Sequence, residues 1–363
     1  MKIYAIFFLI TIFLSLGWDR DIKILRDFFV LILVTYLFVI TGWRSYTVGT
    51  DTINYVSFFS YLGSPISDMH FFDLLEMLHA RFEYGYVLLN RLVYHFTENP
   101  RWLLIICALI TYCMLFVFLK KVSKDPYLSL VMFVCLGYMA SGMNTIRQGI
   151  AAAFIMISYI FLLKKRGVFL CIFFIVLAFL FHKTAILFLL AVFLRNWKFT
   201  KKNVVVLLLG SFLVSIIYGK LENLINQINY TDYANSGITS GYLGITLNIL
   251  LLLYFLVICV MSIKNTNLML HKYIKLDSDI LPILIIISIG VYIVAFNFSQ
   301  LTRIASYFEI AAIVYVPNCL RTIENIKLRM TLVWLTYIVL LFYFFIIIFL
   351  RPQWTNITPY VFG

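Results

Sequence analysis

Hydrophobic residues in this chain come in long blocks and polar residues in short interruptions. Apolar runs fall at about 3–17, 28–42, 102–119, 127–143, 148–163, 167–181, 184–194, 204–218, 243–263, 280–297, 304–320 and 331–350. With their flanks, most approach the roughly 20 residues a helix needs to cross a hydrocarbon core of about 30 Å. The pattern predicts an all-α fold: a polytopic membrane helical bundle of about 12 transmembrane helices. The run at 184–194 is the weakest, because as a helix it would be only about 17 Å long. It has to tilt, extend through its polar flanks or sit half-buried.

Two connections are long, 43–101 and 219–242. Within the first, Phe71, Leu74, Leu75, Leu78 and Phe82, and then Tyr86, Leu89, Val93 and Phe96, recur at helical spacing. These stretches predict amphipathic helices lying in the membrane interface. The second connection is rich in Asn, Tyr and Gly and reads as a flap. No internal repeat, linker or low-complexity tract interrupts residues 1–363, so a single integral membrane domain is expected.

Composition agrees with the pattern. The chain is 63% hydrophobic and 12% charged, against about 25% charged in ordinary soluble domains, and no soluble domain of usual size fits. A net charge of +13 would raise the question of nucleic acid, but the basic residues are scattered in threes and fours between apolar runs, which is how the positive-inside rule distributes them. No nucleic-acid partner is expected. The six cysteines lie in or at the ends of apolar runs without a Cys-x-x-Cys pair, so neither a disulfide framework nor a metal site is indicated. Residues 3–16 have a signal-like apolar core but are followed by Gly17-Trp18-Asp19 rather than a small-x-small cleavage site. They read as a retained first span.

The charge count sets the topology. If 18–27 is cytoplasmic, alternate connections hold nineteen of the 29 Lys and Arg residues. The alternation survives only if 184–194 crosses, and it places both termini outside. Several ionisable residues then fall on the outer side at the ends of spans: Arg44, Asp51, Glu83, Arg147, His182, Lys183, Arg303 and Glu309. Charges at membrane depth cost several kcal/mol unless they face the bundle interior or a wet cavity. Gathered in one outward-facing cavity, they would suit an anionic, phosphate-bearing ligand held by guanidinium forks, with a carboxylate or imidazole nearby to take a proton.

Each residue also has a structural alternative. Arg147 and Arg303 could snorkel to headgroups, and Lys183 could anchor at the interface. Asp51 could cap the helix beginning at Thr52, and Glu83 could pair with Arg81 or Arg91. His182 could bond to backbone, and Glu309 to Arg303 or a neighbouring helix. Phosphate-binding glycine loops, a Gly-x-Ser-x-Gly elbow and His-Glu-x-x-His are absent from the sequence. No paired Asp-x-Asp stands in the outer loops, so a metal-independent mechanism without a cofactor is expected.

At these residues the chain resembles the EpsG-type branch of the Wzy polysaccharide (O-antigen) polymerases. The matching features are Trp43-Arg44, Gly49-Thr50-Asp51 and Tyr55; Phe82-Glu83-Tyr84-Gly85-Tyr86; Arg147-Gln148; Phe181-His182-Lys183-Thr184-Ala185; Arg303 with Tyr307-Phe308; and Ile357-Thr358-Pro359-Tyr360. The resemblance implies a glycosyltransferase similar to the GT-C type, in the bacterial inner membrane with its site facing the periplasm. Such an enzyme polymerises oligosaccharide repeat units carried on undecaprenyl diphosphate, so donor and acceptor are both lipid-linked glycans; a chain-length regulator is a possible further partner. Arg147 and Arg303, with Arg44 in support, would hold the diphosphate. Asp51 or Glu83, with His182 next, would take the acceptor proton, and Tyr55, Lys183 and Glu309 would be secondary contacts toward the sugar. A flippase or transporter of the same lipid-linked oligosaccharide is the main alternative. It would need a cavity open to both faces, whereas the span centres are almost uncharged. A ligase uses the same donor, and an acyltransferase working through His182 would need a cytoplasmic acyl donor.

Overall fold

The structure is a computed structural model, and it describes residues 2–17, 23–61, 82–164, 166–228, 241–264 and 279–363. The first expected amphipathic stretch, at 71–82, lies almost wholly outside the described residues, as do residues 229–240 of the 219–242 connection. Among the described residues the protein is built from helices, and the only strand-like pairing is an isolated bridge between Arg44 and Phe362.

In chain order the helices are α1 (Lys2–Gly17), α2 (Lys23–Gly42), α3 (Thr52–Tyr61), α4 (Tyr84–Phe96), α5 (Arg101–Val122), α6 (Pro126–Cys135), α7 (Tyr138–Asn144), α8 (Ile146–Leu162), α9 (Val168–Phe181), α10 (Leu189–Phe193), α11 (Lys201–Ile228), α12 (Gly241–Lys264), α13 (Ile280–Ala295), α14 (Thr302–Leu320) and α15 (Ile326–Phe345). Each of the twelve apolar runs coincides with helix. Among the described residues, five helices are long and apolar enough to cross a membrane, or six if α6 and α7, bent by 48° at their junction, form one span. The bend falls at Gly137, whose φ of +85° few L-residues adopt. The run at 184–194 begins as a 3-10 helix, Lys183–Phe188, before α10. That geometry rises about 2 Å per residue instead of 1.5 Å and lengthens a short segment.

The contacts divide the chain into two compact units, Met1–Ile186 with Trp334–Gly363, and Leu187–Val333. In the first, α8 lies between α5 and α9, α2 packs on α5, α1 on α6, and α4 on α9. Local chemistry fixes several ends. Asp125 accepts a hydrogen bond from Leu128 N–H at 3.2 Å, one residue before Pro126 opens α6. Lys120 Nζ lies 3.3 Å from Asp27, which joins the polar ends of α5 and α2.

In the second unit α13 packs on α14 and α11, with α12 against α13 and α14. The segment Lys201–Tyr218 of α11 has a mean hydropathy of 1.6, yet none of it is buried. Val205, Val206, Leu209, Phe212, Leu213, Val214, Ile216 and Ile217 are all exposed. A face of that extent is stable only against hydrocarbon or another protein. With the other apolar helices it marks a helical membrane protein.

Candidate active site

Three helix ends meet in the first unit. Glu83 occupies the N-cap position of α4 in extended conformation, but its side chain makes no capping bond. One carboxylate oxygen, Oε1, accepts from His182 Nδ1 at 3.2 Å, and the other, Oε2, is in direct contact with Arg147 Nη1. His182 is the C-cap residue of α9, and Arg147 lies in the first turn of α8. A helix N-terminus is where a cation is least favoured, so Arg147 depends on the carboxylate beside it.

Close packing makes the meeting possible. A Cβ on Gly85 would lie 2.8 Å from the Leu180 carbonyl oxygen, so only glycine lets α4 come this near to α9. Phe82 stacks on Phe58, with centroids 3.9 Å apart, and the Arg147 guanidinium sits 5.1 Å above the Phe82 ring. Arg147 also donates to the hydroxyl of Tyr55, which is buried and packs edge-on against Tyr86.

The electrostatics assign different characters to the three groups. Burial alone would raise the Glu83 pKa, but the hydrogen bond from His182 and the charge of Arg147 outweigh it and hold the carboxyl down at about 2. Glu83 is therefore a fixed anion and a poor proton acceptor. Because a carboxylate only accepts, Nδ1 of His182 carries the hydrogen. Nε2 is buried and has no hydrogen-bond partner among the described residues. This is the arrangement in which a carboxylate orients an imidazole and leaves its other nitrogen for proton transfer. Beside it lies a small cavity of about 50 Å³ lined by Phe82, Glu83, Tyr84, Phe179, Leu180 and Lys183.

The other candidate residues have different surroundings. Asp51 is half-buried just before α3; its main-chain carbonyl accepts from Tyr55 N–H at 3.2 Å, and its carboxylate makes no hydrogen bond to a described residue. Arg44 is only 1% exposed, and its guanidinium donates to main-chain carbonyls, those of Thr41 and, at 3.0 Å, Met143. Burial draws its pKa down to about 10, so it stays charged at neutral pH. Lys183 is exposed at the edge of the small cavity. In the second unit, Arg303 is exposed in the first turn of α14, and Glu309 is buried and accepts from the Tyr292 hydroxyl at 3.0 Å. Among the structural alternatives, Glu309 is bonded to a neighbouring helix, through Tyr292. Glu83 pairs with Arg147; of the partners expected as a structural alternative, Arg91 and Arg81, the latter lies outside the described residues. The sequence singled out neither Phe82 as a platform nor Asn144, which binds Thr50; the only signal for the first was the aromatic run Phe82-Glu83-Tyr84-Gly85-Tyr86.

No group of three or more His, Cys, Asp or Glu side chains able to hold a metal occurs among the described residues. No curated protein and no solved structure matches the chain. A family model does, that of the EpsG family, over residues 27–362. The family is associated with glycosyltransferase-type polysaccharide polymerases. The match takes in α2 through the C-terminal segment, including all three groups that meet at Glu83, and on it this membrane protein belongs to the EpsG family.

Proposed function

We propose that the protein is a membrane glycosyltransferase that polymerises undecaprenyl-diphosphate-linked oligosaccharide units at the outer face of the bacterial inner membrane. The observation that carries this reading is the Glu83 carboxylate bridging Arg147 and His182. It joins a cation suited to a diphosphate leaving group to an imidazole with an unoccupied nitrogen. On this reading the runs cross the membrane twelve times in a GT-C-like bundle, with both termini outside and the Glu83 cluster on the outer side.

In the reaction, an acceptor sugar hydroxyl attacks the anomeric carbon of the donor. The bond from that carbon to the diphosphate oxygen breaks, and undecaprenyl diphosphate departs with the bonding pair. Arg147 stabilises the charge that grows on the diphosphate. His182 Nε2 accepts the hydroxyl proton while Glu83 holds the ring and offsets the imidazolium that forms. Asp51 and Lys183 would contact the sugars. Arg44, with its guanidinium spent on main-chain carbonyls, supports the loop instead of the diphosphate.

Membranes holding the Arg147→Ala or His182→Ala variant, supplied with the cell's own lipid-linked repeat unit, should form no long chains and leave single units. A positioned base contributes about 10²- to 10⁴-fold, so the ladder should vanish. Full-length chains from either variant would overturn the assignment. One repeat transferred to a different lipid, with no ladder from the wild type, would identify a ligase.

A further inference from the structure

Asp51 and Arg147 sit on separate elements, and the Asn144 side chain is one of the groups that tie those elements together. Asn144 is the last residue of α7, and Thr145 alone links it to α8, where Arg147 lies in the first turn. The Asn144 Oδ1 accepts from the main-chain N–H of Thr50 at 2.7 Å, and the Thr50 hydroxyl lies 3.4 Å from the same atom. One residue back, the Met143 carbonyl accepts from Arg44 at 3.0 Å and lies 3.2 Å from Thr52 Oγ1. The turn is pressed hard against this link: Gly49 has φ +96°, and a Cβ there would lie 2.9 Å from Asn144 Oδ1. Asn144 itself is 8% exposed.

We propose that Asn144 is a positioning residue for glycosyl transfer, whose Oδ1 latches the Gly49–Asp51 turn to the hinge that aims Arg147. The inference rests on the reading of the Glu83 cluster given above. A one-residue connection has little slack, and α8 is stiff, so any shift at Asn144 passes directly to the Arg147 guanidinium. Displacing a reacting group by about 1 Å can cost on the order of 10²-fold in rate. The chemistry of the latch is specific. Both groups that reach Oδ1 are donors, so only an acceptor is needed there. Asn144→Asp keeps that acceptor in the same shape, and the Arg44 guanidinium bonded one residue away offsets the added charge. Asn144→Ala removes it.

The test compares polymer formed per folded, membrane-inserted molecule, with thermal unfolding of the detergent-solubilised protein measured in parallel. Asn144→Ala should lose about tenfold or more of its polymer per folded molecule, with its unfolding midpoint close to wild type, and Asn144→Asp should restore most of the loss. The inference is overturned if Asn144→Ala polymerises normally per folded molecule, if its loss follows the amount of folded protein alone, or if Asn144→Asp is no better than Asn144→Ala. Arg147→Ala and His182→Ala serve as controls. If they keep full activity the reading of the whole site fails; if they lose it while Asn144→Ala does not, only the role of Asn144 fails.

Discussion

The Glu83 carboxylate and the His182 imidazole meet at 3.2 Å although 99 positions separate them in the chain. Neither residue belongs to the body of a helix. One begins α4 and the other ends α9, so both side chains are set by helix termini while their backbones stay rigid. A pair fixed in this way needs no rearrangement to transfer a proton.

The depressed Glu83 pKa makes the protein's stability depend on pH in a defined window. In the unfolded chain the group titrates near 4.5, and in the fold at about 2. Its contribution is complete above the unfolded value and is lost as pH falls from about 4.5 through about 2, for a total on the order of 3 kcal/mol. The difference in unfolding midpoint between wild type and Glu83→Gln, followed from pH 7 to pH 2.5, should shrink across that window. A constant difference would mean that Glu83 is not held as an anion.

Gly85→Ala should separate the two halves of the site. The added methyl carbon would meet the Leu180 main-chain oxygen at 2.8 Å, and a carbonyl within a helix cannot swing aside. Overpacking of this kind costs about 1–3 kcal/mol, and here relief comes only by moving α4 off α9. Polymerisation should fall further than stability does, which activity per folded molecule would reveal. Normal activity would show that the Glu83 to His182 contact tolerates the shift.

Arg44→Met tests a buried cation whose partners are main-chain carbonyls. Its loss removes the side-chain donor to the Thr41 oxygen and one of the two at the Met143 oxygen, which keeps Thr52 Oγ1 at 3.2 Å, and an unsatisfied buried acceptor costs about 1–3 kcal/mol. The variant should appear mainly as reduced folded protein. Arg44→Lys should recover little, since one ammonium cannot reproduce two separated guanidinium donors. Should Arg44→Met fold normally but lose affinity for the lipid-linked donor, Arg44 would instead be a diphosphate ligand.

In the second unit, Tyr292→Phe removes the hydroxyl that Glu309 accepts from at 3.0 Å, with both side chains almost fully buried. The expected loss is about 1–3 kcal/mol. Glu309→Gln keeps an acceptor oxygen for Tyr292 and should unfold near the wild-type temperature with polymerisation intact. Loss of polymer in that variant without loss of stability would place the Glu309 carboxylate in the reaction.

The helices were legible in the sequence because their apolar runs are nearly continuous; each run coincides with helix. Details that depend on backbone geometry were not. The break at Gly137 needs φ +85°, which an apolar pattern does not announce. In α4 the stripe holds at Tyr86 and Val93, both buried, but not at Phe96, which is 83% exposed. The site residues stood out one at a time, as ionisable groups at helix ends. What joins Glu83 to His182 is the approach of α4 to α9 at Gly85, a tertiary event. The main-chain carbonyls that Arg44 donates to leave no mark on residue identity, so its burial was not legible either.

The loop that carries Asp51 is sewn to the final stretch of the chain. Ser45 N–H donates to Val361 O, Gly49 N–H to Asn356 O, and Gly363 N–H to Trp43 O, while the Tyr4 hydroxyl reaches Ile357 O across 353 positions. At the usual 5–20 residues per second of synthesis, those partners are made roughly 15 to 65 s after the loop. Until then its amide groups stay solvated and the Asp51 turn lacks its final shape. The protein should therefore acquire activity only once residues 356–363 have been made, and a nascent chain halted before Asn356 would be inserted but inert.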